Sequence, residues 1–371
     1  MKLKLINDFQ TLERNRNQWD QVAGQFPFFQ WSWLGNWFKH LGTELKLAVV
    51  VACDEHDQWL GIAPWCIDAT NPLVIKLRFL GSGDACTDYM NLICSDEHYR
   101  DFSSLASDWL VENINQPETL GRIDVVELEG ITPTNSNSQF FCDLLDAHGL
   151  NSHKTDLEGG WVVDLPQTWA ELNATFSKSM RRKTKKATSR VTDEATQVLS
   201  TRDVPFEELW NTFTELHQKR REMLEQPGCF ADHRFESFLR AAAHDLIKES
   251  KAELLVILFE GTPLASMLLL NDEDTVYTYQ NGMDIDRLNL EPGYQVCFAA
   301  ISRSIEQGFK RVDFLRGDEA YKTRWNTTRI PLERKRYIPQ TTLAKFKHGI
   351  WLTGRSIKHY VADSASKSKS H

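Results

Sequence analysis

The sequence predicts an α/β protein whose mixed, mostly antiparallel sheets are flanked by helices and arranged as two tandem halves. Three observations predict it. Runs of period two alternate along the chain with runs of period near 3.6, the signatures of strand and helix. The chain has 371 residues, more than one ordinary domain. Two stretches also recur. DQWLGIAPWCI (Asp57–Ile67) parallels FEGTPLASMLLL (Phe259–Leu270), and LGRIDVVELEG (Leu120–Gly130) parallels GFKRVDFLRGD (Gly308–Asp318). The first pair reads as strand, turn, strand. In the second, a helix precedes the strand and a glycine follows it. Two copies of one α/β unit account for the length. The halves are expected at 1–165 and 166–340, followed by a basic segment at 341–371.

In the first half, Lys2–Ile6 reads as a strand and Phe9–Val22 as a helix. The aromatic stretch Phe26–Leu41 follows, in which Trp31, Trp33, Trp37 and Phe38 fit a helical period. They form either a core-facing stripe or a platform for a sugar or acyl chain. Leu45–Cys53 and Gln58–Asp68 read as strands joined by a charged turn, and Leu73–Leu80 and Tyr89–Cys94 as two more. The intervening GSGDACTD reads as a surface loop, because it lacks phosphate-loop spacing and a helix directly after it. Tyr99–Asn113 is helical, Asp124–Leu128 a strand, Gln139–His148 a helix ended by Gly149, and Trp161–Asp164 a short strand.

Between the halves, Trp169–Ser177 reads as a helix that the basic run SKSMRRKTKKATSR (Ser177–Arg190) continues. That run is either a solvated helical face or a seat for an anion. Phe206–Leu224 and His233–Glu249 are longer helices, and Ala252–Gln280 supplies central antiparallel strands. Pro292 and Gly293 open a helix, since proline fixes φ in the first turn. Tyr294, Cys297, Ala300, Ile301 and Ile305 give it one buried face, and Gly308 caps its end. Val312 and Phe314 mark a strand that Gly317 ends, and Asp318 is placed to N-cap a short helix carrying Tyr321, Lys322 and Trp325. Lys345–Val361 reads as an amphipathic helix, and the last ten or so residues as disordered low-complexity chain.

Composition narrows the function. Net charge is −8 and pI about 5.8, which argues against a general nucleic-acid binder but not against a local basic groove. The N-terminal stretch has no apolar signal core, and no apolar run approaches the roughly 20 residues of a membrane span. Seven scattered cysteines without a C-x-x-C pair read as reduced thiols of a cytoplasmic protein with no metal site. The oligomeric state is left open.

The stretch Asn289–Trp325 organises the rest. A helix N-terminus fed by a loop can hold a phosphate, and parallel strands on either side leave a crevice at their carboxyl ends. Here the pattern resembles a known family. LHQKRR (Leu216–Arg221), CFADHRF (Cys229–Phe235), EGTPLAS (Glu260–Ser266), the Pro292-Gly293 helix start and GFKRVDFLRGDEAYK (Gly308–Lys322) carry the resemblance. From about Phe213 to Trp325 the chain resembles the GNAT acetyltransferase domain of cellulose-biosynthesis-associated (CelD/BcsL-like) proteins, relatives of the FemAB-type transferases. The first half is similar only through FFQWSWLGNWF (Phe28–Phe38).

The resemblance implies an N-acyltransferase with tandem GNAT-like halves. It binds acetyl-CoA or another acyl-CoA where two central strands splay, and an amine attacks the thioester directly. The implied acceptor is an amino sugar or polysaccharide precursor. The donor phosphates would lie at Asn289, Pro292, Gly293 and Tyr294; the GNAT signature there is Q/R-x-x-G-x-G/A, of which this chain keeps Gly293 with Asn289 ahead of it. His217, Asp313 and Glu319 are the candidate bases, and Tyr321 the candidate acid for the leaving thiolate. Asp313 either points into the cleft or pairs with Arg311 or Lys310. Arg316 and Lys322 suit a carboxylate or phosphate. Arg221 and Asp232 match the family pattern in the substrate region. Two other readings stay open: a FemAB-like peptidyltransferase using aminoacyl-tRNA, with Arg181–Lys186 on the RNA, and a non-catalytic GNAT-fold scaffold.

Overall fold

The computed structural model describes residues 1–223 and 228–353. Strand β1 (Lys2–Ile6) leads into helices α1 (Phe9–Arg14), α2 (Arg16–Ala23) and α3 (Trp31–Leu41). Then come β2 (Lys46–Leu47), β3 (Val49–Cys53), β4 (Trp59–Ala63), β5 (Trp65–Asp68), β6 (Lys76–Phe79) and β7 (Ile93–Cys94). Helix α4 (Asp96–Asn113), β8 (Val125–Ile131), α5 (Ser136–Ala147) and β9 (Asn151–Asp156) follow. Next are β10 (Gly160–Asp164), α6 (Trp169–Thr175), α7 (Lys178–Val191), β11 (Thr196–Ser200), α8 (Phe206–Met223) and α9 (His233–Lys248). Strands β12 (Ala252–Phe259), β13 (Thr262–Asn271) and β14 (Thr275–Met283) form an antiparallel meander. Helix α10 (Pro292–Glu306), β15 (Arg311–Asp313), β16 (Thr328–Ile330) and β17 (Glu333–Ile338) complete the strands. A last helix, α11, spans 342–353.

The strands form three sheets, ordered β1-β3-β4-β7, β2-β5-β6-β8-β17-β9 and β11-β12-β13-β14-β15-β10-β16. The repeat seen in the sequence has a counterpart here. Strand β6 pairs parallel with β8, and α4 lies between them in the chain; β14 pairs parallel with β15, and α10 lies between those. Gly130 at φ 77° sits at a bulge near the end of β8, and Gly317 at φ 123° turns the chain after β15, a region open to glycine at no steric cost. The halves exchange strands. Strand β10 enters the seven-stranded sheet between β15 and β16, and β17 returns to the six-stranded sheet between β8 and β9.

One apolar core runs through both halves, from Leu12 to Tyr337. Trp33 of α3 packs edge-on against Phe238 of α9 and Tyr279 of β14, both at 5.0 Å between ring centroids. The aromatic stripe is therefore core. A second cluster covers the other face of the seven-stranded sheet with α6, α7 and α10. With both faces covered, β12 and β13 read as continuous apolar runs rather than alternating ones.

Several local expectations are corrected. Phe9–Val22 is two helices, because Asn15 closes α1 and opens α2. Gln58–Asp68 is divided at Pro64 into β4 and β5, which lie in different sheets. Tyr89, at φ 61°, cannot extend, so only Ile93–Cys94 pairs there. The basic run does not continue α6. Phe176 is extended, and the Ser177 hydroxyl accepts from Met180 N–H to start a new helix. Asp318 does not cap: residues Lys322–Trp325 form a 3-10 turn preceded by Tyr321, with no side-chain cap. The loop at 81–88 is not a surface loop, since Ser82, Thr87 and Asp88 are buried. Strands β9, β11, β16 and β17 were not foreseen. The expectations for Leu224 and for residues 354–371 lie outside the described residues.

Candidate active site

Strands β14 and β15 pair only from Thr275–Tyr277 to Arg311–Asp313. Beyond that point β14 runs on to Met283, while β15 ends and the chain turns through Leu315 at φ 56° and Gly317. The two strands therefore splay at their carboxyl ends. A bulge enlarges the opening: Leu268 pairs with Gln280 and Leu269 with Thr278, so Tyr279 is the extra residue. Its hydroxyl donates to the Ala85 carbonyl of the first half at 2.8 Å.

Two cavities meet at the splay. The smaller, about 150 Å³, lies between β13, β14 and the start of α10 and is lined mainly by Met267, Met283, Val296, Cys297 and Trp325. The larger, about 380 Å³, is polar and takes Arg221, Thr278, Gln280 and Glu319 from the second half, with Cys86 and Asp88 from the first. Asn281 and Tyr321 line both. The Tyr321 ring meets Phe314 edge-on at 6.2 Å.

The expected base residues separate. Glu319 lines the larger cavity with its carboxylate half-exposed, 3.0 Å from the Lys322 ammonium. His217, 2% exposed, sits behind the cavity wall on α8 with Nε2 3.2 Å from Gln280 Oε1. Asp313 is elsewhere. It lines a separate cavity of about 460 Å³ at the seam, with Tyr89, Tyr277 and Arg311. Its carboxylate accepts from Tyr89 Oη at 2.7 Å and Leu315 N–H at 2.7 Å. Burial pushes its carboxyl up to about 7. Arg311 turns to Asp164, not to Asp313.

The expected anion binders are engaged within the protein. Arg316 is held by Asp88, and by Glu129 at 3.1 Å. Burial opposes its charge, but those two carboxylates hold its pKa above the usual guanidinium value. Lys322, 3% exposed, donates to the Leu315 and Arg316 carbonyls and fixes the loop that ends β15. Asp232 caps α9 and pairs with Arg234 at 2.9 Å. Of the expected substrate residues, Arg221, Arg316 and Lys322 line the larger cavity and Asp232 does not.

The start of α10 has few N–H groups to offer a phosphate. Pro292 has no N–H, and those of Tyr294 and Gln295 both return to the Glu291 carbonyl. Gly293 is left, and the Glu291 carboxylate just ahead of it in the chain is approached by Lys183 at 3.3 Å and Arg190 at 3.0 Å. Asn289 offers its carbonyl to Arg190. Tyr294 receives a hydrogen bond from Arg324 at 2.7 Å, and the Lys183 ammonium sits 4.5 Å over its ring.

A family model described as an acetyltransferase (GNAT) domain matches residues 174–323. Among solved structures, FemX superposes with a TM-score of 0.63 at 12% identity, over 91% of this chain and 97% of that one. The second half thus resembles a GNAT domain, and the chain shares the fold of FemX. A conserved protein of unknown function from Bacteroides thetaiotaomicron gives a TM-score of 0.57 at 11% identity, over 91% of this chain and all of that one. L-PGS from Bacillus licheniformis gives 0.51 at 13%, over 86% and 95% of the two chains. No curated protein sequence matches this one significantly. Both splayed strands lie inside the matched residues 174–323. Of the residues that line the two cavities, sequence reasoning named Arg221, Gly293, Tyr294, Arg316, Glu319, Tyr321 and Lys322 but not Asn281, Gln280 or the loop that brings in Cys86 and Asp88. Among the described residues, no cluster of His, Cys, Asp and Glu suits a metal ion.

Proposed function

We propose that this protein is an N-acyltransferase acting where β14 and β15 diverge. The observation that carries the reading is the junction of the two cavities at Asn281 and Tyr321. An apolar pocket suited to an acyl group there opens beside a polar pocket suited to an amine. The uncovered edge of β14 offers backbone groups to an extended donor arm. The acceptor nitrogen attacks the acyl carbonyl, the C–N bond forms, and the C–S or C–O bond of the donor breaks. Glu319 takes one proton from the ammonium before attack, Tyr321 gives its hydroxyl proton to the leaving atom, and the second proton shed by the acylated nitrogen restores the Tyr321 hydroxyl. His217 acts through Gln280 as a positioning residue. The resemblance to CelD/BcsL-like acetyltransferases supports an amino sugar or polysaccharide precursor as acceptor.

The donor on this reading is an acyl-CoA. Thermal unfolding with acetyl-CoA and longer acyl-CoAs tests it: a ligand at a hundred times its Kd stabilises the native state by about 2.7 kcal/mol. A Cβ at Gly293 meets the end of Met283 at 3.4 Å, so Gly293→Leu drives its branches into the apolar pocket and is expected to abolish the shift. No shift with any acyl-CoA would reject this donor.

One observation favours aminoacyl-tRNA as a second reading. Lys178, Arg181, Arg182, Lys185 and Lys186 are exposed on one face of α7, with no acidic partner among the described residues. On that reading tRNA binds with a steep salt dependence, and a flat response removes it.

A further inference from the structure

Of the eight large apolar side chains exposed among the described residues, five gather around α11: Leu73, Leu343, Phe346, Ile350 and Leu352. Leu343, Phe346 and Ile350 stand at i, i+3 and i+7, one face of a helix, and are 49%, 67% and 59% exposed. The opposite face is fastened down. Ala344 is buried against Val125 and Ile338, Lys347 binds Asp124 at 2.8 Å, and the Arg336 guanidinium lies 4.1 Å over the Trp351 ring. Val74 packs on the same small cluster, and its neighbour Leu73 is 72% exposed. The apolar stripe is thus held outward by a rigid inner face.

In the sequence, the stretch that begins with this helix has a charge opposite in sign to that of the protein. Residues 342–371 carry six Lys or Arg (345, 347, 355, 358, 367, 369) against one Asp (363), whereas the whole chain is at −8. Lys345 is exposed on the helix itself. An apolar helix face on a stretch of sequence rich in cations is the pattern of a helix lying in a bilayer interface, where burial of the stripe and attraction to acidic headgroups act together. No helix among the described residues is long and apolar enough to cross a membrane, so the patch suits attachment to a surface.

We propose that Leu343, Phe346 and Ile350 form a docking surface for an anionic lipid bilayer. The inference is independent of the acyl-transfer reading.

The test is co-sedimentation of the 371-residue chain with phosphatidylcholine vesicles and with mixed phosphatidylcholine–phosphatidylglycerol vesicles. Binding is expected to the mixed vesicles, weakened by salt, and not to the neutral ones. The double variant Phe346→Ser/Ile350→Ser is expected to lower partitioning roughly tenfold or more. Its thermal midpoint should hold, since both side chains are exposed. Leu105→Ser, an exposed leucine on α4, should bind as the parent does. Absence of binding to mixed vesicles, or equal binding by the double variant, overturns the proposal. So does self-association in solution that the double variant abolishes, which would make the patch an interface between two copies.

Discussion

Tyr89, from the loop ahead of β7, donates its hydroxyl proton to the Asp313 carboxylate of β15, 2.7 Å away across the seam between the halves. Asp313 is 3% exposed, and burial raises its carboxyl to about 7. The folded state therefore binds a proton that the unfolded chain, near 3.8, releases earlier. The stabilisation is present below pH 3.8, declines as pH rises through the window up to about 7, and is gone above it. Asp313→Asn removes this titration while keeping the contacts: its carbonyl accepts from Leu315 N–H and its amide donates to Tyr89. Unfolding midpoints of parent and variant, compared across pH, are expected to show the parent losing ground between about pH 4 and 7, at ~1.4 kcal/mol for each pH step of one within that window. A pH-independent difference would contradict the assignment.

Arg316 ties the halves together through Asp88, which is fully buried, and Glu129. Arg316→Met leaves the buried Asp88 without its cation, while Glu129 keeps Arg334 at 2.6 Å. Breaking a buried pair in this way costs about 3–5 kcal/mol, measurable by urea unfolding. Arg316→Met combined with Asp88→Asn is expected to recover part of the loss. If the double variant is worse than the single one by the full cost of Asp88→Asn alone, the two residues are not coupled.

These pairings show what was legible in the sequence and what was not. Helix α10 was legible because its signals are local: Pro292 at the start, an apolar face at three- and four-residue steps, Gly308 at the end. The divergence of β14 and β15 followed from that helix. Strand β17 was hidden, because ERKRYI is dense in charge and reads as loop. It becomes a strand because Arg334 and Arg336 find Glu129 and Glu127 on β8, at 2.6 and 2.9 Å and some 200 residues away. Loop 81–88 looked like surface for the same reason, since the partner of Asp88 lies in the other half. Asp313 was placed on the correct strand, but strand period alone could not say which cavity its face meets.

Gly282 is where α8 meets β14. A Cβ there would stand 2.6 Å from the His217 nitrogen and 2.8 Å from the Leu216 carbonyl carbon, both backbone atoms. Gly282→Ala must push α8 off the sheet, at about 1–3 kcal/mol. Helix α8 also carries His217 to Gln280 and Arg221 to the larger cavity. A fall in turnover beyond the fraction unfolded is therefore expected, read by comparing kcat with the denaturation curve. A stable variant of normal activity would mean that α8 does not set the cavity wall.

Tyr321 is the side chain on which the acyl-transfer reading depends most, since it lines both cavities. Tyr321→Phe keeps the ring against Phe314 and removes only the hydroxyl, so the thermal midpoint should change little. If the hydroxyl protonates the leaving atom, kcat falls about 10²-fold or more while the KM for the donor stays near its parent value. A second donor separates this role from simple packing. With an aryl thioester, whose thiolate leaves without a proton, parent and variant should turn over at similar rates. An equal loss with both donors would make Tyr321 a wall of the pocket and shift the search for the acid to the acceptor side of the cleft.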